Sequence, residues 1–218
     1  MNSSPSPAGS EPPARETPYL GWVVTFILVA TLISFAWSGL KGSHPVRVPK
    51  HLQPVSDVPD FRLVDQSGKP FGLVDLKGKI WVGNFVLTRG SAPCPMISSR
   101  MAELNQKIGR AGAGVELVTF SVDPEFDTPE VLASYAGRLG AGPGRWKFLT
   151  GNKGDIDAIV NNGLLQPLSR DADGAHSTSF VIVDGNGKLR GSADGNDPEV
   201  VQKLLMDIGD LLRESGKL

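Results

Sequence analysis

Cys94 is the only cysteine of the chain, and its surroundings favour a reactive thiolate. It lies in the sequence TRGSAPCP, residues 88–95. Pro95 suits the first position of a helix, because its missing amide hydrogen would have no partner there. A thiol at a helix start meets unpaired amide hydrogens and the positive end of the helix dipole, which favour the thiolate. With one cysteine, dithiol chemistry within one chain is excluded.

Four other residues are candidates for chemistry near this thiol. His176 precedes an apolar run, so we expect it on a loop that enters a sheet, either as a general base or as a plain surface residue. Arg89 is predicted either to bind an anion or stabilise the thiolate, or to be solvated. Asp123 and Asp127 lie in a proline-containing turn that caps a helix, which favours a structural role over an acid–base pair.

Apolar periodicity predicts the elements that position these residues. Strands and helices alternate, which indicates an α/β domain, and a terminal hairpin makes its sheet mixed. Helix starts are marked by Pro95, by Thr128 before Pro129, and by Pro198. The predicted strands are 61–65 (paired with 70–71), 80–87, 115–122, 146–149, 179–184 and 188–191, and the predicted helices are 95–110, one opening at 128, 155–162 and 197–214.

Length and charge limit the classes of function. The 218 residues suit one domain with appendages, and the net charge of -1 gives no basic field for nucleic acid. No glycine loop that binds phosphate follows a strand, and no zinc-type cysteine pair exists.

Residues 19–40 contain no charged side chain and predict a transmembrane helix. A helix of that length extends about 33 Å, enough to cross a bilayer core. Tyr19, Trp22 and Trp37 near its ends fit the interfacial aromatic belt. A buried core helix and a cleaved signal peptide are the alternatives, and the length of the run favours an uncleaved anchor.

The chain is therefore expected to have four parts. Residues 1–18 are a Ser/Pro-rich disordered tail, 19–40 the anchor, 41–57 a linker and 58–218 the folded domain. His44 and His51 are expected to be solvated linker histidines. Basic residues are more numerous after the anchor than before it, and this weak charge signal alone favours a cytoplasmic domain.

Eight short stretches, taken in order and with their spacing, form a specific pattern in residues 56–215. They are PDF at 59–61, DQSGK at 65–69, NF at 84–85, CPM at 94–96, SVDPE at 121–125, DTP at 127–129, FLTG at 148–151 and HSTS at 176–179. In these stretches the chain resembles the Sco/SenC family of membrane-anchored, thioredoxin-fold proteins of cytochrome oxidase assembly, and the resemblance covers most of residues 56–215.

The resemblance implies a thioredoxin-like mixed sheet flanked by helices, behind one transmembrane helix. It implies copper as the bound metal, and a cytochrome oxidase subunit or another copper protein as the partner. It also implies the bacterial inner membrane as the location, with the domain facing the periplasm, and this outweighs the charge signal.

The family's copper site is a C-x-x-x-C-P loop with a distant histidine. The resemblance assigns its second cysteine to Cys94 and its histidine to His176, as metal ligands. Gly90 stands where the first cysteine would be. Two thiolates and an imidazole suit Cu(I), so one thiolate and one imidazole imply weaker and less selective binding.

Three residues are candidates for a third ligand: Met96, Asp171 and Asp173. For each, a structural role is the favoured interpretation. Met96 is expected in the core on the helix face, and the two aspartates are expected in a solvated loop.

Three functions stay open at this point. The first, which we favour, is copper handling or redox assistance, with no catalytic residue. The second is a single-cysteine thiol peroxidase, with His176 as base. The third is an interaction module in which Cys94 is inert.

Overall fold

The structure is a computed structural model. It describes residues 22–23, 25–31, 52–90, 94–109, 112–142, 144–166, 168–171 and 174–217, without the side chains of Cys94, 169–171 and 174–176. Two compact units are present, Met1–Val46 and Arg47–Leu218.

In the first unit, residues 22–23 and 25–31 are helical. The Thr31 hydroxyl donates to the carbonyl oxygens of Ile27 and Leu28, each at 2.9 Å. Within the described residues, no helix has the length and apolar character needed to cross a bilayer. Most of the expected anchor, 19–40, lies outside the described residues.

The second unit is built on a mixed sheet. Its strands are β1 Ser56–Asp57, β2 Arg62–Asp65, β3 Pro70–Gly72, β4 Ile80–Val86, β5 Val115–Ser121, β6 Trp146–Thr150, β7 Ser169–Asp171, β8 Gly174–His176, β9 Ser179–Val183 and β10 Lys188–Asp194. Eight of these strands form one sheet in the order β1-β10-β9-β4-β5-β6-β2-β3, and β7 and β8 form a separate hairpin. Strands β4, β5 and β6 are parallel, whereas β9 runs antiparallel to β4.

In the described part of the folded unit, four α-helices accompany the sheet, and each begins near a predicted start. Thr128 caps the second helix by accepting a hydrogen bond from the Val131 amide, and Pro129 follows it, as predicted. The helices are α1 Cys94–Ile108, α2 Pro129–Arg138, α3 Lys153–Ala158 and α4 Val200–Glu214, and a π-helical turn, Ile159–Gly163, continues α3.

Alternation along β4 divides the core into two layers. Val82 and Val86 face a cluster that α1, α2 and α4 complete, and Trp81 and Phe85 face a second cluster on the other side of the sheet. Side chains of successive strand residues point to opposite faces, so a strand buried on both faces reads as a continuous apolar run. This arrangement is the expected thioredoxin-like α/β fold.

Two short pieces of sheet were not predicted. Strand β1 pairs with β10, and Leu52 is fully buried, so the folded unit includes residues that we assigned to the linker 41–57. Hairpin β7–β8 ends at His176, which we expected on a loop. Both pieces have only two or three residues per strand, too few for an alternating pattern to be recognised.

Candidate functional site

Cys94 is the first residue of α1, which follows β4 through residues 87–93. Because β4 and β5 are parallel, the loops that follow them lie at the same edge of the sheet, which we call the site edge. The backbone placement therefore agrees with the prediction of a thiol at a helix start. There the helix dipole and the free amide hydrogens of the first turn favour a negative charge.

The loop after β4 is tied to a buried carboxylate. Asp127 is 0% exposed and accepts hydrogen bonds from the Thr88 hydroxyl and, at 2.6 Å, from the Ser121 hydroxyl. The Thr88 amide lies 3.5 Å from the same carboxylate. Buried carboxylates need such donors, because burial removes the hydrogen bonds of water. Asp127 therefore holds the loop that leads to Cys94, in agreement with the structural role predicted for it.

Arg89 and Asp123 form an ion pair at the surface of this loop. Arg89 Nε donates to Asp123 Oδ2 at 2.7 Å, and the guanidinium carbon lies 4.8 Å from the centre of the Phe126 ring. The Asp123 amide also donates to the Ser121 hydroxyl oxygen at 3.1 Å. The anion that Arg89 binds is thus a carboxylate of the same chain.

His176 is the last residue of β8, three residues before β9 begins. Because β9 is antiparallel to β4, the start of β9 lies at the site edge, where β4 ends. Ser177 is buried, and its hydroxyl oxygen accepts the Ser179 amide hydrogen at 3.1 Å. The topology therefore brings the backbone segments of Cys94 and His176 to one edge.

Two of the three candidate third ligands differ from expectation, Met96 in its exposure and Asp171 in its place in a strand instead of a loop. Met96 is 37% exposed, so its predicted place in the core is wrong. Ile97, the next residue, is fully buried and fills the core from that turn of the helix. Asp171 lies in β7, and Asp173 lies outside the described residues. Among the side chains that the structure describes, no group of three or more His, Cys, Asp or Glu could hold a metal ion.

Gly90 ends a turn in which its amide donates to the Leu87 carbonyl oxygen at 2.9 Å. Its φ lies outside the left-handed region that favours glycine. A Cβ atom at this position would lie 3.1 Å from Leu87 O and 3.2 Å from Leu87 Cδ2. A side chain is therefore accommodated if Leu87 moves by a few tenths of an ångström.

Sequence reasoning missed the hydrogen bonds that the Thr88 and Ser121 hydroxyls donate to Asp127. The signal was present, since Ser121 is the last residue of β5 and Thr88 lies two residues beyond the end of the parallel strand β4. Such ends meet at one edge of a sheet. However, the order of the strands was needed to bring Thr88 to Asp127, which is 39 residues away.

The family model and the similar proteins all point to one family. The model of the SCO1/SenC family matches residues 50–212. The crystal structure of a SCO1/SenC family lipoprotein from Bacillus anthracis is 32% identical, with a TM-score of 0.67 over 73% of this chain and 97% of that chain.

Two more relatives are similar over most of the folded unit. BsSco, described as a member of the Sco family of cytochrome c oxidase assembly proteins with a disulfide switch, is 26% identical, with a TM-score of 0.66 over 76% of this chain and 97% of that chain. A protein of Stutzerimonas stutzeri, provisionally named as copper-binding, is 31% identical over 62% of this chain and 67% of its own length. The chain belongs to the SCO1/SenC family.

Proposed function

We propose that this protein handles copper, or gives redox assistance, during maturation of a cytochrome oxidase, and that Cys94 and His176 are its copper ligands. The observation that carries the proposal is the convergence of two backbone segments. Helix α1 starts at Cys94 at the site edge, and the segment that ends with His176 leads into β9 at the same edge. A thiolate and an imidazole are a donor pair that suits Cu(I).

Two relatives support copper as the metal and a cytochrome oxidase as the client. The S. stutzeri protein is provisionally named for copper binding, and BsSco belongs to a family of cytochrome c oxidase assembly proteins. A cytochrome oxidase subunit or another copper protein is therefore the proposed partner.

The site lacks one thiol compared with the family's pattern. Gly90 stands four residues before Cys94, and the chain has no second cysteine. One thiolate and one imidazole leave Cu(I) with an open coordination position, so binding is weak and the metal remains accessible to a donor from the client. An internal disulfide is excluded by the cysteine count. Redox assistance through a disulfide therefore needs a partner protein that is itself oxidised, because the Cys94 thiolate attacks a disulfide of the partner, forms a mixed disulfide with one sulfur and releases the other as a thiolate.

The proposed location is the bacterial inner membrane, with the folded unit in the periplasm. Residues 19–40, without a charged side chain, serve as the anchor between the tail 1–18 and the linker that begins at 41. The B. anthracis relative is a lipoprotein, which supports membrane association for a protein of this family.

Reporter fusions test this topology. A reporter joined after residue 55 is expected to be active only when it requires export. Activity of a cytoplasmic reporter in the membrane fraction would contradict the orientation, and recovery of a chain that begins beyond residue 40 would contradict the uncleaved anchor.

Titration of the full chain with Cu(I), against a competing chelator, tests the metal site. We expect one equivalent to bind, and we expect Cys94→Ser and His176→Ala each to weaken binding. His44→Ala is the matched control, because His44 is a linker histidine that precedes the folded unit, which begins at Arg47. Equal affinities in all four proteins would contradict the assignment of the ligands.

A single-cysteine thiol peroxidase is the second candidate, favoured by the position of Cys94 at the start of α1. A peroxidase forms a sulfenic acid at its cysteine after peroxide treatment and turns over with an external thiol. We expect no turnover above the background. If there is neither turnover nor copper binding, the chain is an interaction module.

A further inference from the structure

We propose that Gly195 is a positioning residue that sets the distance between the first turn of α1 and the segment that carries His176. The inference rests on the proposed function, because it assigns a role to Gly195 in the geometry of the copper site. Gly195 is buried and directly follows β10.

The contacts of Gly195 leave no room for a side chain. A Cβ atom built on it would lie 2.2 Å from Ile97 Cδ1, 2.5 Å from the Thr178 carbonyl oxygen and 3.0 Å from Phe180 Cε2. Real Cβ atoms essentially never approach another atom within 3.0 Å. Its φ is not in the left-handed region, so close approach, rather than backbone conformation, is the reason for glycine here.

The two nearest contacts belong to the two segments of the candidate site. Ile97 is fully buried and lies three residues after Cys94, in the first turn of α1. Thr178 lies two residues after His176. Both segments therefore occupy the space that a Cβ atom of residue 195 would need, and the absence of a side chain at Gly195 lets them come together.

The turn around Gly195 is fixed by its own hydrogen bonds. The Gly195 amide donates to the Thr178 carbonyl oxygen at 2.7 Å. Asp194 Oδ1 accepts the Thr178 hydroxyl at 3.3 Å and the Asn196 amide at 3.0 Å. Gly195 cannot retreat without breaking these bonds, so an added methyl group would displace Ile97 or the Thr178 segment instead.

Such a displacement acts on the candidate site directly. Binding sites lose performance when their groups move by about 1 Å from the productive geometry. Residues that orient metal ligands typically change metal affinity by about 10-fold to 100-fold when they are mutated. Gly195→Ala is therefore expected to change both the affinity for Cu(I) and the reactivity of Cys94.

The experiment compares Gly195→Ala with Gly72→Ala in the full chain. Gly72 is the matched control, because its added Cβ would lie 2.4 Å from the Phe61 carbonyl oxygen, a backbone collision of the same size. Gly72 is also buried, and it lies in β3, four strands away from β4. We measure thermal stability, Cu(I) affinity and the rate of alkylation of Cys94 in copper-free protein.

We expect both variants to lose thermal stability, but only Gly195→Ala to weaken Cu(I) binding, by about 10-fold or more, and to alter the alkylation rate. Adding Ile97→Val to Gly195→Ala removes the Cδ1 atom, and this should restore part of the Cu(I) affinity and part of the wild-type alkylation rate. Equal affinities and equal alkylation rates in Gly195→Ala and Gly72→Ala would overturn the inference.

The role of Gly195 can still be tested if Gly195→Ala does not fold or if the wild-type chain binds no copper. If Gly195→Ala does not fold, Ile97→Val alone tests the contact, because a shortened side chain should alter the alkylation rate of Cys94, and an unchanged rate overturns the inference. If the wild-type chain binds no copper, the proposed function fails. The alkylation rates still decide the role of Gly195, because they are measured without metal.

Discussion

Arg89 Nε donates to the Asp123 carboxylate at 2.7 Å and joins the loop before Cys94 to the loop after β5. The Arg89 side chain is 59% exposed, so the pair stabilises the fold by only about 0.5 kcal/mol. The ion pair instead restrains the position of the loop that leads into α1.

Arg89→Ala is therefore expected to change the free energy of unfolding by less than about 1 kcal/mol, yet to alter the alkylation rate of Cys94. Lys188→Ala is the matched control, since it removes a similar exposed ion pair, with Asp57, at 2.6 Å. Denaturant unfolding and a timed alkylation assay measure the two effects. The prediction fails if both variants leave the alkylation rate unchanged.

Asp127→Ala should destabilise the fold much more than Asp123→Ala. The buried Asp127 carboxylate accepts the hydroxyls of Thr88 and Ser121, and a buried polar group left without a partner costs about 1–3 kcal/mol. Urea unfolding midpoints at an unchanged m-value give the comparison. Similar midpoints for the two variants would show that the buried network contributes little.

The stability of the fold should depend on pH through the carboxyl group of Asp65. Burial raises the pKa of the Asp65 carboxyl, but hydrogen bonds from the Ser67 hydroxyl and from the Lys69 and Ser67 amides, with the charge of Lys147, outweigh it and lower the pKa below its usual value. A carboxyl with a lowered folded-state pKa contributes stability above its unfolded pKa, and this stability is lost as pH falls through the folded value.

Asp65→Asn should thus destabilise the fold at pH 7, and the difference from wild type should shrink in acid. Unfolding free energies at pH 7 and at pH values below the unfolded pKa of Asp, about 3.9, provide the measurement. Asp60→Asn, at an exposed carboxyl, is the control. A difference that stays constant with pH would contradict the prediction.

Part of the fold around the candidate site could be predicted from the sequence. Strand β4, strand β5 and the start of α1 were predicted to within a residue or two, because their apolar runs are long and Pro95 marks a helix start. The Thr128 cap was predicted for the same kind of local reason.

The rest depends on contacts distant in sequence. Met96 and Ile97 are adjacent apolar residues, and only the packing of α1 on the sheet decides that Ile97 is buried. The tie from Thr88 to Asp127 requires that β4 and β5 be neighbours. The close approach at Gly195 leaves no local pattern, because its neighbours come from two segments that are distant from each other in sequence, Ile97 in α1 and Thr178 to Phe180 at the start of β9.

Gly90→Cys should supply the thiol that the family's pattern has at this position. The added side chain meets only modest crowding from Leu87, so the variant should fold. We expect tighter Cu(I) binding and, under oxidation, an internal disulfide with Cys94. Non-reducing electrophoresis and chelator competition are the measurements. Gly90→Ser, of similar size and without sulfur, is the control.

One outcome would contradict the alignment of Gly90 with the first cysteine of the family's loop. A folded Gly90→Cys protein that forms no internal disulfide, and binds Cu(I) no more tightly than Gly90→Ser, would mean that residue 90 does not correspond to the first cysteine.

The central claim is that Cys94 and His176 bind copper, and X-ray absorption at the copper edge of the Cu(I)-loaded full chain tests it most directly. The account predicts one sulfur scatterer and at least one imidazole in wild-type protein. The sulfur signal should disappear in Cys94→Ser, and the imidazole signal should weaken in His176→Ala. A wild-type spectrum without a copper–sulfur contribution, or one that both substitutions leave unchanged, would contradict the claim.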